Sequence, residues 1–345
     1  MQYNYPQYPQ YAPYQPYAPQ NDPALAQKYR EYQEAEMYKK ALRKTSNHLG
    51  VLLIVFIVLE FVLGLIYFFI SGLSFDAGSI KDLLGNGLIS CIIFFVTGAV
   101  YCLIKKLSFA RLFPFERIGA KMLSMLCVIG LCFSLMSNYV VDLVNNTFGL
   151  FGIENSGGNI DAGSEPNVIV YLLTVAVLPA FVEEFAFRGV IMGSLRPYSE
   201  GLAILVSSAA FALMHGNFVQ LPFTFCCGLV FAIIDIKTNS LMPSIIVHFF
   251  NNGLSVLADI LVSYKIFSEL QANLFYGVIF IVLGILSLIF IKKIINEKGQ
   301  SFFTLKNSDT VLPFKTKVKT AASSPTMITF AVIMLIFCFT QLAAG

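Results

Sequence analysis

Three groups of polar residues interrupt runs that are otherwise apolar enough to cross a bilayer. They are Glu183-Glu184-x-x-x-Arg188, Phe211-x-x-x-His215 and His248-x-x-x-Asn252. A charged side chain at mid-bilayer costs about 2.5–3.5 kcal/mol on insertion scales, so these residues need internal partners or a water-filled cavity. On one helix Glu184 and Arg188 stand at i and i+4 and should pair. Glu183 is rotated away from that pair and is left to face something else. A free carboxylate beside two histidines can take a proton from a water molecule, and side-chain N–H groups can stabilise an oxyanion. The plainer alternatives stay open at this point. Glu184–Arg188 serves equally as a structural pair, an intramembrane His or Asn as a hydrogen bond between helices, and Glu plus His as a proton path in a transporter.

The elements that must position these residues follow from composition. Of 345 residues, 57% are hydrophobic and 12% charged, against roughly 25% charged in soluble domains. Several apolar runs approach the 20 or so residues that cross a hydrocarbon core. The expected fold is an all-α polytopic membrane protein of about eight to nine transmembrane helices, near 49–71, 87–104, 119–143, 167–194, 200–216, 218–236, 241–263, 272–294 and 325–343. Around them we read a Tyr/Pro/Gln-rich tail and polar helix at 1–46 and a membrane domain at 47–296 with its chemical core at about 167–263. A polar linker at 297–324 and a C-terminal transmembrane helix at 325–345 complete the chain. The tail reads as unstructured, and no cleavable leader precedes the first apolar run.

Loop charge orients the layout. With the N-terminus in the cytoplasm, twenty Lys and Arg fall in inner segments and only Lys81 and Lys265 in outer loops, as the positive-inside rule requires. The loop at 144–166 carries Glu154, Asp161 and Glu165 and no basic residue. An integral, plasma-membrane location follows, with the bilayer as a partner and no nucleic acid. The seven cysteines lie in apolar segments without a CxxC pair and read as small buried hydrophobes.

Depth brings the groups together. Counting from the inner ends of their helices at 1.5 Å per residue, Glu183 and His215 lie roughly 20 and 22 Å deep, and His248 and Asn252 roughly 10 and 16 Å. Residues from three helices can therefore share one band of the membrane.

In these residues, taken in order, the chain resembles the CAAX-protease and bacteriocin-processing family of intramembrane endopeptidases, which includes the type II CAAX prenyl endopeptidases. The resemblance covers about 167–263. It implies hydrolysis of a peptide bond in a membrane-associated peptide or protein, lipidated or not. Glu183 would be the general base, His215 would help hold the water, and His248 and Asn252 would donate to the oxyanion. Glu184 and Arg188 would orient the site or bind the substrate's carboxyl-terminal end. Family members are often labelled metalloproteases, and zinc accepts Glu183, His215 and His248 as ligands. Yet there is no HExxH, and liganding would occupy the obvious base, so the reading leans towards metal-free catalysis. A proton-coupled transporter and a non-catalytic scaffold or immunity protein of the same fold are the alternatives. No second copy of the motifs appears, as a transporter built on an internal repeat would show.

Overall fold

The computed structural model describes residues 22–70, 80–150, 153–155, 168–305 and 311–344. The tyrosine-rich segment read at 1–20 and most of the 144–166 loop lie outside them. The fold is all-α and polytopic. Its helices are α1 (Pro23–Ile70), α2 (Ile80–Ile104), the short α3 (Phe109–Leu112), α4 (Ala120–Gly149), α5 (Val168–Leu195), α6 (Glu200–Met214), α7 (Gln220–Thr238), α8 (Met242–Ser263), α9 (Glu269–Lys298), α10 (Phe314–Ala322) and α11 (Pro325–Thr340). A two-strand antiparallel ladder joins β1 (Ile153–Asn155) to β2 (Leu342–Ala344).

The count of spans is lower than eight to nine at its upper end. Among the described residues, seven helices are long and apolar enough to cross a bilayer, or eight if α10 and α11, bent by 70° at their junction, form one broken span. The difference lies in α6, which has 15 residues. At 1.5 Å per residue it is roughly 22 Å long, short of the roughly 30 Å of hydrocarbon. It stops at His215, where Gly216 takes a left-handed φ of 63°, a conformation open to glycine without steric cost. Asn217 Oδ1 then accepts the backbone N–H of Val219 at 2.8 Å and so opens α7.

The polar helix expected at the N-terminus and the first span are one uninterrupted element. Nothing between Lys44 and Val51 forbids it, since that stretch holds no proline. Tyr38, on the polar part of α1, donates its hydroxyl to the Tyr198 carbonyl in the α5–α6 connection. Lys317 of α10 donates to the same oxygen at 3.2 Å while fully buried, with its ammonium 5.5 Å from the Tyr38 ring centre. Arg196 donates to Asn239 Oδ1 at 2.7 Å, and Asn239 Nδ2 donates to Glu116. Segments from five parts of the sequence are thereby tied at one end of the bundle.

Helix α5 is the central element, packed by α2, α6, α7 and α8. It is not a regular α-helix. Leu172–Val177 and Glu184–Met192 are wide, π-helical turns, a form that recurs at functional sites. Pro179 stands between them and has no N–H to return to the carbonyl four residues back, Val175. That carbonyl accepts Asn252 Nδ2 from α8 at 3.0 Å instead. On the other flank Phe113 lies against Gly189. A β-carbon there would stand 1.8 Å from the ring, so only glycine admits this approach. The outer helix α9 packs mainly on α4 and is 6% buried over its apolar window. Most of its surface is left to lipid.

Candidate active site

Helices α5, α6 and α8 bring five of the six expected residues into one cluster. Glu184 is fully buried and meets Arg188, Nε to Oε2, at 3.2 Å. The pairing foreseen from the i, i+4 spacing is present, but as a charge contact rather than an aligned hydrogen bond. None of the three guanidinium nitrogens has an aligned acceptor among the described residues. Aromatic faces cover the cation instead, with the Phe211 ring centre at 4.4 Å and that of Phe231 at 5.4 Å. Such desolvated cation–π contacts are worth about 2 kcal/mol.

His248 joins the two glutamates. Its Nδ1 lies 3.0 Å from Glu184 Oε1, and its Nε2 lies 3.7 Å from Glu183 Oε2. With Nδ1 protonated and donating to Glu184, the ring's orientation is fixed and Nε2 is aimed at Glu183. His215 lies across the Phe211 ring, 4.8 Å between centres, and its Nδ1 is 2.8 Å from the Phe211 carbonyl. That carbonyl can only accept, so Nδ1 carries the proton and Nε2 is left as an acceptor. His215 is within electrostatic reach of Glu183, His248 and Arg188.

Asn252 stands apart from the charged cluster, one turn beyond His248. One of its amide N–H bonds is committed to Val175, and its Oδ1 accepts from Asn251 at 3.2 Å. The second N–H is the one available for other work.

Glu183 is the only glutamate of the pair with an outlet. Its side chain is 23% exposed, whereas that of Glu184 is 0% exposed. It borders a cavity of about 250 Å³ between α2 and α5, lined also by Ser90, Cys91, Phe94, Thr174, Pro179 and Val182. Ser90 is hydrogen-bonded from behind by Glu60 of α1, which stands within electrostatic reach of Glu183. A second, apolar groove of about 440 Å³ shares Val182 with this cavity and is walled by Phe95, Phe109, Phe113, Phe181 and Phe185.

Sequence reasoning missed Glu60, Asp235 and the Glu184–His248 contact. The first two carried a usable signal, each being a carboxylate inside an apolar run, which by default marks function. The third had none, because nothing in the spacing tells which side of α8 faces α5.

The similarity of this region to known proteins matches its geometry. Residues 165–254 match the family described as type II CAAX prenyl endopeptidase Rce1-like. This stretch of the chain is similar to the CAAX-protease family. Over 118 residues the chain is 32% identical to a protein of Staphylococcus aureus (strain USA300) described as membrane-embedded CAAX protease MroQ. That overlap takes in 32% of this chain and 47% of the relative, so the chain spans about half the length of the protein it matches. No solved structure matches the chain. The six motif residues, Glu183 to Asn252, all fall inside the CAAX-protease match. Glu60 and Ser90 fall outside it.

Among the described residues, no group of three or more His, Cys, Asp or Glu side chains is arranged to hold a metal ion. His248 turns one ring nitrogen to Glu184, and His215 turns one to a backbone carbonyl. The metalloprotease-like expectation finds no support in this geometry. All seven cysteines are free and at least partly buried.

Proposed function

We propose that this chain is an intramembrane endopeptidase that hydrolyses a peptide bond of a membrane-anchored protein or peptide, with Glu183 as the general base and no metal in the reaction. The observation that carries the reading is the division of His248 between two carboxylates. Glu184 takes Nδ1, and Nε2 is left facing Glu183 at the edge of a cavity.

The chemistry follows from the donors and acceptors in place. Water entering the cavity gives a proton to the Glu183 carboxylate as its oxygen attacks the substrate carbonyl. His215 Nε2, an acceptor, holds that water from the second side. Negative charge then develops on the carbonyl oxygen. His248 can donate to it from Nε2, because Glu184 at Nδ1 stabilises the doubly protonated ring. The uncommitted N–H of Asn252 is the second donor. Collapse of the tetrahedral intermediate breaks the C–N bond, and Glu183 returns its proton to the leaving amine. Each preorganised oxyanion donor is worth about 3–4 kcal/mol in a water-poor site.

The substrate class rests on position. A site inside the bilayer receives a peptide that the membrane delivers, lipidated or carried by its own helix. The distribution of Lys and Arg supports a cytoplasmic N-terminus, and a plasma-membrane location is part of the proposal.

The test is cleavage by purified protein in liposomes containing a panel of membrane-anchored peptides, with products identified by mass. Wild-type protein should cleave at least one of them at a defined bond. Glu183→Gln should bind it and release product at near background rate. A folded Glu183→Gln chain cleaving at the wild-type rate would end the proposal, and proton-coupled solute uptake abolished by the same change would put the transporter in its place.

A further inference from the structure

We propose that Asp235, outside the motifs and in contact with neither substrate cavity, is a positioning residue that sets His248 against Glu184 through Ser244.

Asp235 lies in the last turn of α7 and is 2% exposed. Its backbone carbonyl accepts N–H groups from Asn239 and Ser240, which closes α7. Its side chain opens the following helix. The N-cap of α8 is Leu241, which has no side-chain acceptor, and the second residue of α8 is Pro243, which has no N–H. The first-turn amide that needs an acceptor is therefore that of Ser244, and Asp235 Oδ1 takes it at 3.2 Å. A carboxylate at this end also complements the helix dipole. One residue thus ends one helix and starts the next, which fixes the rotation of α8 about its axis.

The second carboxylate oxygen carries the link to the site. Asp235 Oδ2 is 2.6 Å from the Ser244 hydroxyl. Ser244 is fully buried, its hydroxyl also reaches the Leu241 carbonyl at 3.0 Å, and it stands within electrostatic reach of Glu184. His248 follows Ser244 by four residues and so rises from the same face of α8. Its Nδ1 lies 3.0 Å from Glu184 Oε1. Asp235 thus holds the turn of α8 at Ser244, and His248, one turn on, meets Glu184 and faces Glu183. Asp235 is further within electrostatic reach of both Glu184 and Arg188. A helix cap placed anywhere else at this turn would stabilise α8 as well; only one bonded to Ser244 also holds the face of α8 that carries His248.

The test uses the full chain in nanodiscs with ¹⁵N-labelled histidine. The chain has only three histidines, so His48→Gln and His215→Gln assign the spectrum. Asp235→Ala and Ser244→Ala should move or double the His248 ring resonances while those of His48 stay in place. Asp235→Asn keeps an oxygen for the Ser244 N–H and should give a position between the two. The catalytic arm rests on the protease reading: kcat should fall about 10- to 100-fold at unchanged KM, as misplacements near 1 Å do. The proposal is overturned if His248 resonances in folded Ser244→Ala and Asp235→Asn coincide with wild type. An Asp235→Ala chain that fails to fold while those two variants keep wild-type signals has the same meaning, since Asp235 is then a helix cap alone. The nuclear resonance result stands whether or not the protein cleaves any peptide, so it separates this inference from the protease reading.

Discussion

Removing Glu184 should destabilise the protein more than removing Arg188, although the two residues form one ion pair. The asymmetry comes from their remaining partners. Without Arg188, Glu184 still has His248 Nδ1 at 3.0 Å and the Ser244 hydroxyl. The imidazole can take up a proton and supply the missing positive charge. Arg188→Ala should therefore sit at the low end of the range for breaking a buried pair, about 3 kcal/mol. Without Glu184, Arg188 is a fully buried guanidinium whose remaining close partners are two ring faces. These offset about 2 kcal/mol, but His248 Nδ1 loses its acceptor as well. Glu184→Ala should cost about 5 kcal/mol or more.

A double variant tests the coupling. Glu184→Gln with Arg188→Met removes both charges, keeps an oxygen for His248 Nδ1 and retains most of the volume. Replacing a buried ion pair by groups of similar size is often close to neutral. The pair should thus cost less than Glu184→Ala alone, with an interaction term of at least about 2 kcal/mol. Reversible unfolding in mixed micelles, followed by far-ultraviolet circular dichroism, gives the four free energies. Equal costs for the two alanine variants, with an additive double variant, would show that Glu184 and Arg188 are not coupled and refute the reasoning.

Three further outcomes are expected. Asn252→Ala should reduce kcat about 10²–10³-fold by loss of an oxyanion donor and cost about 1–3 kcal/mol for an orphaned Val175 carbonyl; adding Pro179→Ala, which restores an N–H to α5, should recover stability but not rate. Prolonged chelation should leave cleavage intact and purified protein should contain less than one zinc per chain, whereas stoichiometric metal whose removal abolishes activity and whose return restores it would reverse that expectation. On a background without native cysteines, Ile266→Cys should be labelled by an impermeant reagent only from outside the cell and Gln300→Cys only from inside, and the opposite pattern would invert the topology.

The parts of the fold legible in the sequence were those that local chemistry determines. The apolar runs became helices close to where they were read, and Pro243 opened α8 as a first-turn proline does. The pairing of Glu184 with Arg188 needed only the spacing along α5. What stayed hidden depends on how one helix is rotated against another. His248 facing Glu184, Asn252 reaching Val175 and Glu60 standing behind Ser90 are all contacts between separate helices. The length of α6 was overestimated for a different reason. The span was read as 200–216, whereas the helix ends at Met214 and the backbone turns at Gly216, a turn that an apolar count does not register. The wide turns of α5 were equally invisible, because Pro179 announces a kink but not the form that the flanking backbone takes.

Adjacent carboxylates with different partners solve a problem that one carboxylate could not. A general base must be able to accept a proton, and a carboxylate held by a guanidinium gives up its charge reluctantly. Yet the site also needs a fixed negative charge to neutralise Arg188 and to orient an imidazole. In this chain the two demands fall on consecutive residues, which a helix turns to different sides. Glu184 points inward and is occupied by Arg188, His248 and Ser244. Glu183 meets the cavity and has the ring nitrogen of His248 as its nearest charged-group contact, at 3.7 Å. Exchanging their surroundings would leave the cavity edge with a carboxylate already bound to a cation. The proposed base is therefore Glu183, because Glu184 is committed to Arg188 and His248.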